Sequence, residues 1–484
     1  MQEQTTSLKK FLQIPYDELE AMNIQAAKDA KSLSEEELKA KYTEYLSREK
    51  AIKAVTICFT DIEGRFQSLD YDKQFFLKSG NNLTFDGSSI KGFSEQSESD
   101  LRLTPDWGSI YWLPADIFGP GKVIFFGSVL NRDRSPYQSD FRSRLKILCN
   151  ELKKENVVPH VAAEVEGFVV KGINAEQTYN KAKGFELISE GGYFHSLPLE
   201  PLKIFIDTVA EAQRAMGFEN EKDHPEVAPS QFELNYKHCD ALRACDLVQL
   251  YKLVCRQTAA SMGYTATFLP KPVAGVNGSG MHLNLSIFRN GRNVFYDENG
   301  KYRLSQDGWE YAGKLLDSAR ELSLIFNSSV NAYRRLDPRY EAPNKVTISS
   351  VNRGAMIRIP SFDENSARLE IRSVAPDANP YLSVFAMLSI MRRNTDNHGK
   401  KIQYSDNPRP ESIKLLPPTL QDAIRLFRNS RLMKEIMGNH AFEKYISCKQ
   451  AVANRSAKEL GNIIKTAEVQ FHHEITTQQL WNRF

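Results

Sequence analysis

Arg368, Glu370 and Arg372 alternate with Leu369 and Ile371 over residues 367–373. In a strand, alternate side chains share a face, so Leu369 and Ile371 can pack on a core while cation, anion and cation line the other side. Three charges on one strand face are costly to bury unless they bind something, and an anionic substrate together with a metal ion meets that need. The same logic recurs along the chain. Glu164 and Glu166 flank Val165, a strand spacing that turns both carboxylates one way. Glu226 and Glu233 lie in the stretch His224-Pro-Glu-Val-Ala-Pro-Ser-Gln-Phe-Glu233, and His282 ends the run Gly275-Val-Asn-Gly-Ser-Gly-Met-His282. Five carboxylates and one imidazole suffice for two hard divalent cations, and Mg2+ or Mn2+ suit phosphate chemistry. Each residue alone has a blander reading: a surface carboxylate, a hydrogen-bonded structural histidine, glycines at tight turns. Their recurrence argues for chemistry.

The elements that must carry these residues fall into three stretches. Residues 1–52 read as a helical extension, with Ser34 and Glu37 as a capping box and Leu38, Tyr42, Tyr45 and Leu46 as an apolar stripe that docks on the main body or a neighbouring subunit. Residues 53–136 read as a small sheet-rich domain with strands at 54–59 and 123–130, a turn at 61–64, no long helix, and a boundary near Ser135-Pro136. Beyond 137, helices are expected at 139–155, 199–216, 239–262, 307–326 and 379–394. Strands are expected at 159–170, 230–236, 264–269, 280–288, 345–351, 355–359 and 367–373, with turns at Asn290-Gly291 and Asn299-Gly300. Irregular alternation of strands and helices over 137–484 indicates an α+β fold rather than a regular βαβ repeat.

Length and composition bound the rest. At 484 residues the chain is too long for one simple core. With 41% hydrophobic and 25% charged residues it fits a soluble globular protein. The net charge of +3 is spread along the chain and shows no footprint for nucleic acid or membrane. No apolar signal core or bilayer-length run is present, and the six cysteines form no C-x-x-C pair, which together predict a cytoplasmic protein with buried thiols.

In order, the segments resemble type I glutamine synthetases. Phe85-Asp-Gly-Ser-Ser-Ile90 is similar to the family's N-terminal signature and Lys271-Pro-Val-Ala-Gly-Val-Asn-Gly-Ser-Gly-Met-His282 to its ATP-region signature. Asn331–Leu336, Arg339–Pro343, Asn352–Pro360, Arg368–Arg372 and Asp377–Leu382 complete seven blocks from about residue 55 onward; residues 1–52 lie outside the resemblance. The resemblance implies a β-grasp-like N-terminal domain before a large catalytic domain. It also implies ATP-dependent ligation of ammonium to L-glutamate through γ-glutamyl phosphate, and a homo-oligomer of two stacked hexameric rings. It implies one ion held by Glu166, Glu226 and Glu233, and a second by Glu164, His282 and Glu370. Arg358, Arg368 and Ser286 become nucleotide contacts, and Arg353 the arginine on the transferred phosphoryl group. Arg335 and Arg372 become the glutamate carboxylate clamp, a task suited to guanidinium forks. Asn277, Gly278 and His282 join the amino-acid site. Asp86 takes a proton from ammonium, serving the adjacent subunit's site, and Glu341 sits on a closing flap, since an acyl phosphate in open water would hydrolyse.

Four positions depart from the family pattern. Pro225 stands for a second histidine, Ser230 for a glycine, Gly167 for a phenylalanine and Asn284 for a histidine. None removes a proposed ligand. No segment near 397–417 matches the tyrosine that some members adenylylate. Two rivals follow: a ligase for polyamines or other amines, against which Asp86, Ser89 and Glu341 argue because an acidic lining suits a small cation, and a non-catalytic scaffold, which would be expected to lose ligands. Glu370→Ala is read as removing a ligand and leaving the fold.

Overall fold

A computed structural model describes residues 14–80, 82–179, 184–196, 198–360, 363–393 and 413–454. Most of the segment at 397–417, and residues 455–484 of the C-terminal stretch, lie outside the described residues. Among the described residues no helix is long and apolar enough to cross a membrane.

The first sheet runs in the order β2-β1-β5-β4-β3, from β1 (Ala54–Thr60), β2 (Phe66–Asp72), β3 (Leu83–Asp86), β4 (Asp100–Trp112) and β5 (Val123–Leu130). Only β1 and β5 are parallel. Alternation splits its side chains between two cores. Val55, Ile57, Phe59 and Phe125 face one side, while Cys58, Ile124 and Phe126 face the larger core of the rest of the chain. Two short helices not expected from the sequence lie in this domain, Lys73–Ser79, capped by Asp72, and Ala115–Phe118.

The N-terminal extension covers the first of these faces. Helix Glu35–Arg48 begins with a complete capping box: the Glu37 amide donates to Ser34 Oγ (3.3 Å) and the Ser34 amide to Glu37 Oε2 (2.8 Å). Its buried Leu38, Tyr42 and Leu46 join Leu19 and Ala26 of helix Tyr16–Ser32 on the sheet. The stripe packs on the chain's own body. Buried Asn23 accepts from the Trp112 amide (3.0 Å) and donates to the carbonyls of Trp112 (3.0 Å) and Ala215 (2.9 Å), tying the extension to both the first sheet and helix Pro201–Ala215.

The second, ten-stranded sheet positions the chemistry. Its main order is β13-β14-β15-β11-β6-β8-β7. The strands are β6 (Val157–Lys171), β7 (Asn220–Pro225), β8 (Gln231–Tyr236), β11 (Met281–Arg289), β13 (Ile348–Ser349), β14 (Ile357–Arg358) and β15 (Leu369–Ile371). The strands β9 (Cys239–Asp240), β10 (Tyr264–Thr267) and β12 (Arg292–Asn293) flank it. Val161, Ala163, Val165, Leu283, Leu285, Leu369 and Ile371 point into the core, where helices Phe141–Lys154, Ala241–Ser261 and Pro380–Arg392 pack. Tyr251 of the long helix donates to the Val165 carbonyl (3.0 Å), fixing helix to sheet. Between the sheets, buried Arg142 binds Asp246 through two bonds (2.8 and 2.7 Å) and Asp106 of β4 (3.0 Å). The desolvation that this buried network requires offsets much of its attraction, so it adds little net stability.

Differences from the sequence expectation are local. The helix expected over 307–326 is two, Gln306–Asp317 and Ala319–Phe326, joined at Ser318. The strands expected at 345–351, 355–359 and 367–373 shrink to the short β13, β14 and β15, because the chain there turns repeatedly to deliver arginines.

Candidate active site

Strand register assembles the site on the face opposite the core. Arg358 pairs with Glu370, Glu370 with Asn284, His282 with Glu164, Glu166 with Glu233, and Glu233 with His224. Five neighbouring strand pairs thus carry a continuous row of guanidinium, carboxylate and imidazole groups. One cavity gathers nearly all the residues singled out in the sequence: Glu164, Glu166, Glu226, Glu233, Asn277, Gly278, His282, Arg335, Glu341, Arg353, Arg358, Arg368 and Arg372 line it. Glu370 lies beneath, with no exposed surface.

Among the described residues two groups of ligand-type atoms emerge, each with its atoms mutually within 4.8 Å. The first is Glu164, His282 and Glu370, with His282 Nδ1 3.4 Å from Glu164 and 3.9 Å from Glu370. The second is His224, Glu226 and Glu233. Glu166 shares the cavity with this group and is oriented by the Gly280 amide (3.0 Å) and the Gln231 side-chain amide (3.2 Å). His224 is the residue sequence reasoning passed over. Its Nδ1 is 3.0 Å from the Pro225 carbonyl, while Nε2 is buried without a hydrogen-bond partner, 3.8 Å from Glu233. If Nδ1 donates to that carbonyl, Nε2 keeps a free lone pair, the arrangement of a metal ligand. The available signal was its place two residues before Glu226 in a short strand.

The electrostatics suit cations. Burial first, then the charge of Glu166, pushes Glu226 up to about 8, and burial, with help from Glu166, Glu164 and Glu226, raises Glu233 well above the usual carboxylate range. Burial also opposes Glu164, but the hydrogen bond and charge of His282 win and hold it down at about 2. Burial lowers His224, favouring the neutral imidazole that can coordinate. These crowded carboxylates, together with the unpartnered Nε2, fit divalent cations. A consequence follows for pH. A cation must displace protons from Glu226 and Glu233, so Mg2+ or Mn2+ affinity should rise from pH 6 to pH 8, with proton release on binding. Linkage has the same sign: carboxyls raised in the fold support the ion-free protein below their unfolded value, and that support is lost as pH rises through about 8. Thermal stabilisation by either cation should therefore be larger at pH 8 than at pH 6; a pH-independent shift would contradict the assignment.

The arginines divide by their partners. Arg358 and Arg372 both bind Glu370, the latter at 2.6 Å, and Arg372 Nε also donates to the Arg353 carbonyl (2.7 Å), so Arg372 places Arg353. Arg368 Nε donates to Asn284 Oδ1 (2.8 Å), and Asn284 Nδ2 donates to Glu164 (3.0 Å). Arg335 is buried; burial pushes it down to about 10, and its Nη1 lacks a hydrogen-bond partner. A buried guanidinium with a spare donor is suited to a carboxylate ligand. Exposed Arg353 is raised, first by a hydrogen bond with Tyr193, a cavity residue absent from the sequence reading, as is Lys222.

Loops deliver the remaining groups. Ser329 caps helix Val330–Arg335, and Asn331 holds both the amide (2.6 Å) and carbonyl (3.0 Å) of Lys271, anchoring the glycine run. A Cβ on Gly278 would lie 2.4 Å from the Pro270 carbonyl, so only glycine passes there. Glu341 is exposed at φ 60° after the turn Pro338–Tyr340 and accepts from Asn277 Nδ2 (3.3 Å).

Two predicted residues lie elsewhere. Asp86 ends β3 at the edge of the first sheet, exposed, accepting from the Ser88 amide (2.9 Å) and from the hydroxyls of Ser88 and Ser89 (both 2.6 Å), which hold it below the usual carboxylate range. It does not line the cavity of its own chain. Ser286 shares the face of His282 and Asn284 but is paired with His160, outside the cavity lining.

Three of the four departures from the family pattern, Gly167, Ser230 and Asn284, find physical reasons. A Cβ on Gly167 would meet the Phe232 ring at 2.7 Å, so that aromatic and Phe268 already fill its space. Ser230 keeps φ at 60°, and its hydroxyl accepts from the amides of Ile188 (2.8 Å) and Ser189 (2.9 Å). Asn284 bridges Arg368 and Glu164, a link that needs both an acceptor and a donor.

Sequence and structure comparisons agree with this geometry. Residues 51–132 match the family model "Glutamine synthetase, beta-Grasp domain" and residues 138–464 "Glutamine synthetase, catalytic domain". The chain is 36% identical to a glutamine synthetase of Methanosarcina mazei, over 83% of this chain and 91% of that protein. It is 33% identical to that of Thermotoga maritima, over 87% and 96% respectively. Among solved structures, Plasmodium falciparum glutamine synthetase shares the fold (TM-score 0.74, 22% identity, 86% of this chain and 96% of that one). A GmaS/ADP complex is similar at TM-score 0.74 and 25% identity, over 84% and 95%. A β-grasp domain followed by a large catalytic domain of mixed helices and sheets, with both family models matched in order, places this chain in the glutamine synthetase family.

Proposed function

We propose that the chain is a glutamate–ammonia ligase, joining ammonia to L-glutamate at the expense of ATP and giving L-glutamine, ADP and phosphate. The observation that carries this reading is the single sheet face on which two carboxylate–imidazole groups stand beside five converging arginines in one cavity. Glu164, His282 and Glu370 would hold one divalent cation, and Glu226 and Glu233, with His224 and Glu166 beside them, another; Mg2+ or Mn2+ bound there supplies charge neutralisation between phosphate and carboxylate. Arg335 offers its spare donor to the α-carboxylate of glutamate. Arg353, Arg358 and Arg368 face the polyphosphate, where preorganised cations stabilise the charge that develops as the γ-phosphoryl group transfers. The γ-carboxylate of glutamate attacks that group, forming γ-glutamyl phosphate. Glu341 and its turn cover the intermediate. Asp86, contributed by an adjacent subunit, takes the proton from ammonium, and the ammonia displaces phosphate. The assembly is a dodecamer of two hexameric rings, and the protein works in the cytoplasm.

Mass spectrometry of products tests this reading. With ATP, magnesium and glutamate supplied, glutamine should form with ammonium alone. Products formed only with larger amines would transfer the chemistry to an amine ligase, and neither product nor ADP would overturn the enzyme assignment.

A further inference from the structure

A second cavity, of about 260 Å³, lies between the first sheet's β1–β2 turn and the catalytic domain. Its charged wall consists of Glu63, Arg65, Lys252, Arg256, Asp377 and Lys449, four cations against two carboxylates, and none belongs to the active site. Two of the four cations are buried, Lys252 and Lys449 at 7% and 3% exposed, while Arg65 and Arg256 are half-buried. One of the two carboxylates is already saturated. Glu63 binds Lys449 (2.8 Å) and Arg65 (3.3 Å), with Lys91 at 3.6 Å. The other, Asp377, accepts from the Ser329 hydroxyl through Oδ2 (2.5 Å), and its Oδ1 is buried without a hydrogen-bond partner. Lys252 has the Pro376 carbonyl (2.5 Å) and the Phe268 ring as its partners, but no carboxylate within ion-pair distance. Arg65 Nε is buried without a hydrogen-bond partner. A wall with four cations against two carboxylates, and with the Arg65 Nε donor unused, is short of negative charge.

We infer that this junction cavity binds a small oxyanion of two negative charges, a phosphate or a short dicarboxylate, as a site separate from the catalytic cavity. Its walls reach the active site from two directions. Ser329 starts the helix that ends in Arg335, and Asp377 follows Arg372 by five residues. The turn carrying Glu63 and Arg65 belongs to the sheet whose edge carries Asp86. Occupancy therefore fixes the two domains that must cooperate. Burial first, then the charge of Arg256, pushes Lys252 down to about 7, so an anion bound there would also restore its charge.

Thermal unfolding and calorimetric titration of the full chain with inorganic phosphate, and separately with succinate, test the inference. Because phosphate also suits the catalytic cavity, three variants are compared: Arg65→Gln and Lys252→Met at the junction, and Arg353→Gln in the catalytic cavity. At least one probe should stabilise the parent and Arg353→Gln alike, with affinity falling at least about tenfold in Arg65→Gln, as expected for losing a bond to a charged group. Arg65 is partly exposed, so this variant folds even if Lys252→Met does not. Phosphate effects without succinate effects would select phosphate, and the reverse the dicarboxylate. Stabilisation lost in Arg353→Gln but kept in Arg65→Gln, or none with either probe, would overturn the inference.

Discussion

Glu370→Gln is expected to reduce kcat by about 10²–10³-fold while the protein remains folded and assembled. Glu370 is fully buried, pairs with Arg358 and Arg372, and sits 3.9 Å from His282 in one ligand group. Glutamine keeps the volume and one acceptor but removes the charge that both arginines share and that the proposed cation would share. Alanine is a poorer probe than the sequence suggests. It would strand two guanidinium groups near the cavity, a loss on the order of 3–5 kcal/mol for a broken buried pair, so its inactivity would mix misfolding with ligand loss. The glutamine variant separates these, because its thermal midpoint in the absence of cation should stay near the parent's while the cation-induced rise shrinks to the part supplied by the intact His224, Glu226 and Glu233 group. Near-normal turnover in Glu370→Gln would defeat the assignment of this residue to a cation site.

Asp86→Asn is expected to be nearly inactive with ammonium, yet to regain activity when co-assembled with Glu370→Gln. Asp86 lies on the edge of the first sheet, away from its own chain's cavity, so a role in catalysis requires a site shared between neighbours. Mixed assemblies then contain some sites with an intact cavity from one variant and an intact Asp86 from the other. The measurement is activity after co-expression, against the same two variants purified apart and mixed without exchange. Co-assembled particles as inactive as either parent would remove Asp86 from the reaction.

The cavity was legible in the sequence to the extent that strands report on themselves. Alternation about Val165 and through Leu369 and Ile371 fixed which side chains share a face, and the buried halves of β6 and β15 follow it. Register was not legible. Nothing in the sequence pairs Glu166 with Glu233 or Glu370 with Asn284, because these partners are set by long-range packing. His224 escaped notice for that reason: its meaning appears only when β7 lies beside β8. The arginine-bearing strands read as longer than they are, since β-branched and apolar residues around 345–359 continue to look like strand after the chain has turned. Ser318 interrupts what reads as one helix, with no proline or glycine to mark the break. Asn284, Gly167 and Ser230, which stood out as departures, are instead fitted to neighbours in this chain: Arg368 and Glu164, Phe232, and the 188–189 backbone.

The most direct test of the account follows oxygen from glutamate to phosphate. Glutamate labelled with oxygen-18 in its γ-carboxyl group would be supplied with ATP, magnesium and ammonium, and the released phosphate analysed by mass spectrometry. Attack of the carboxylate on the γ-phosphoryl group, followed by displacement by ammonia, carries one labelled oxygen into phosphate for each glutamine formed. Unlabelled phosphate accompanying ADP would mean that water, rather than glutamate, receives the phosphoryl group, and would contradict the acyl-phosphate route assigned to this cavity.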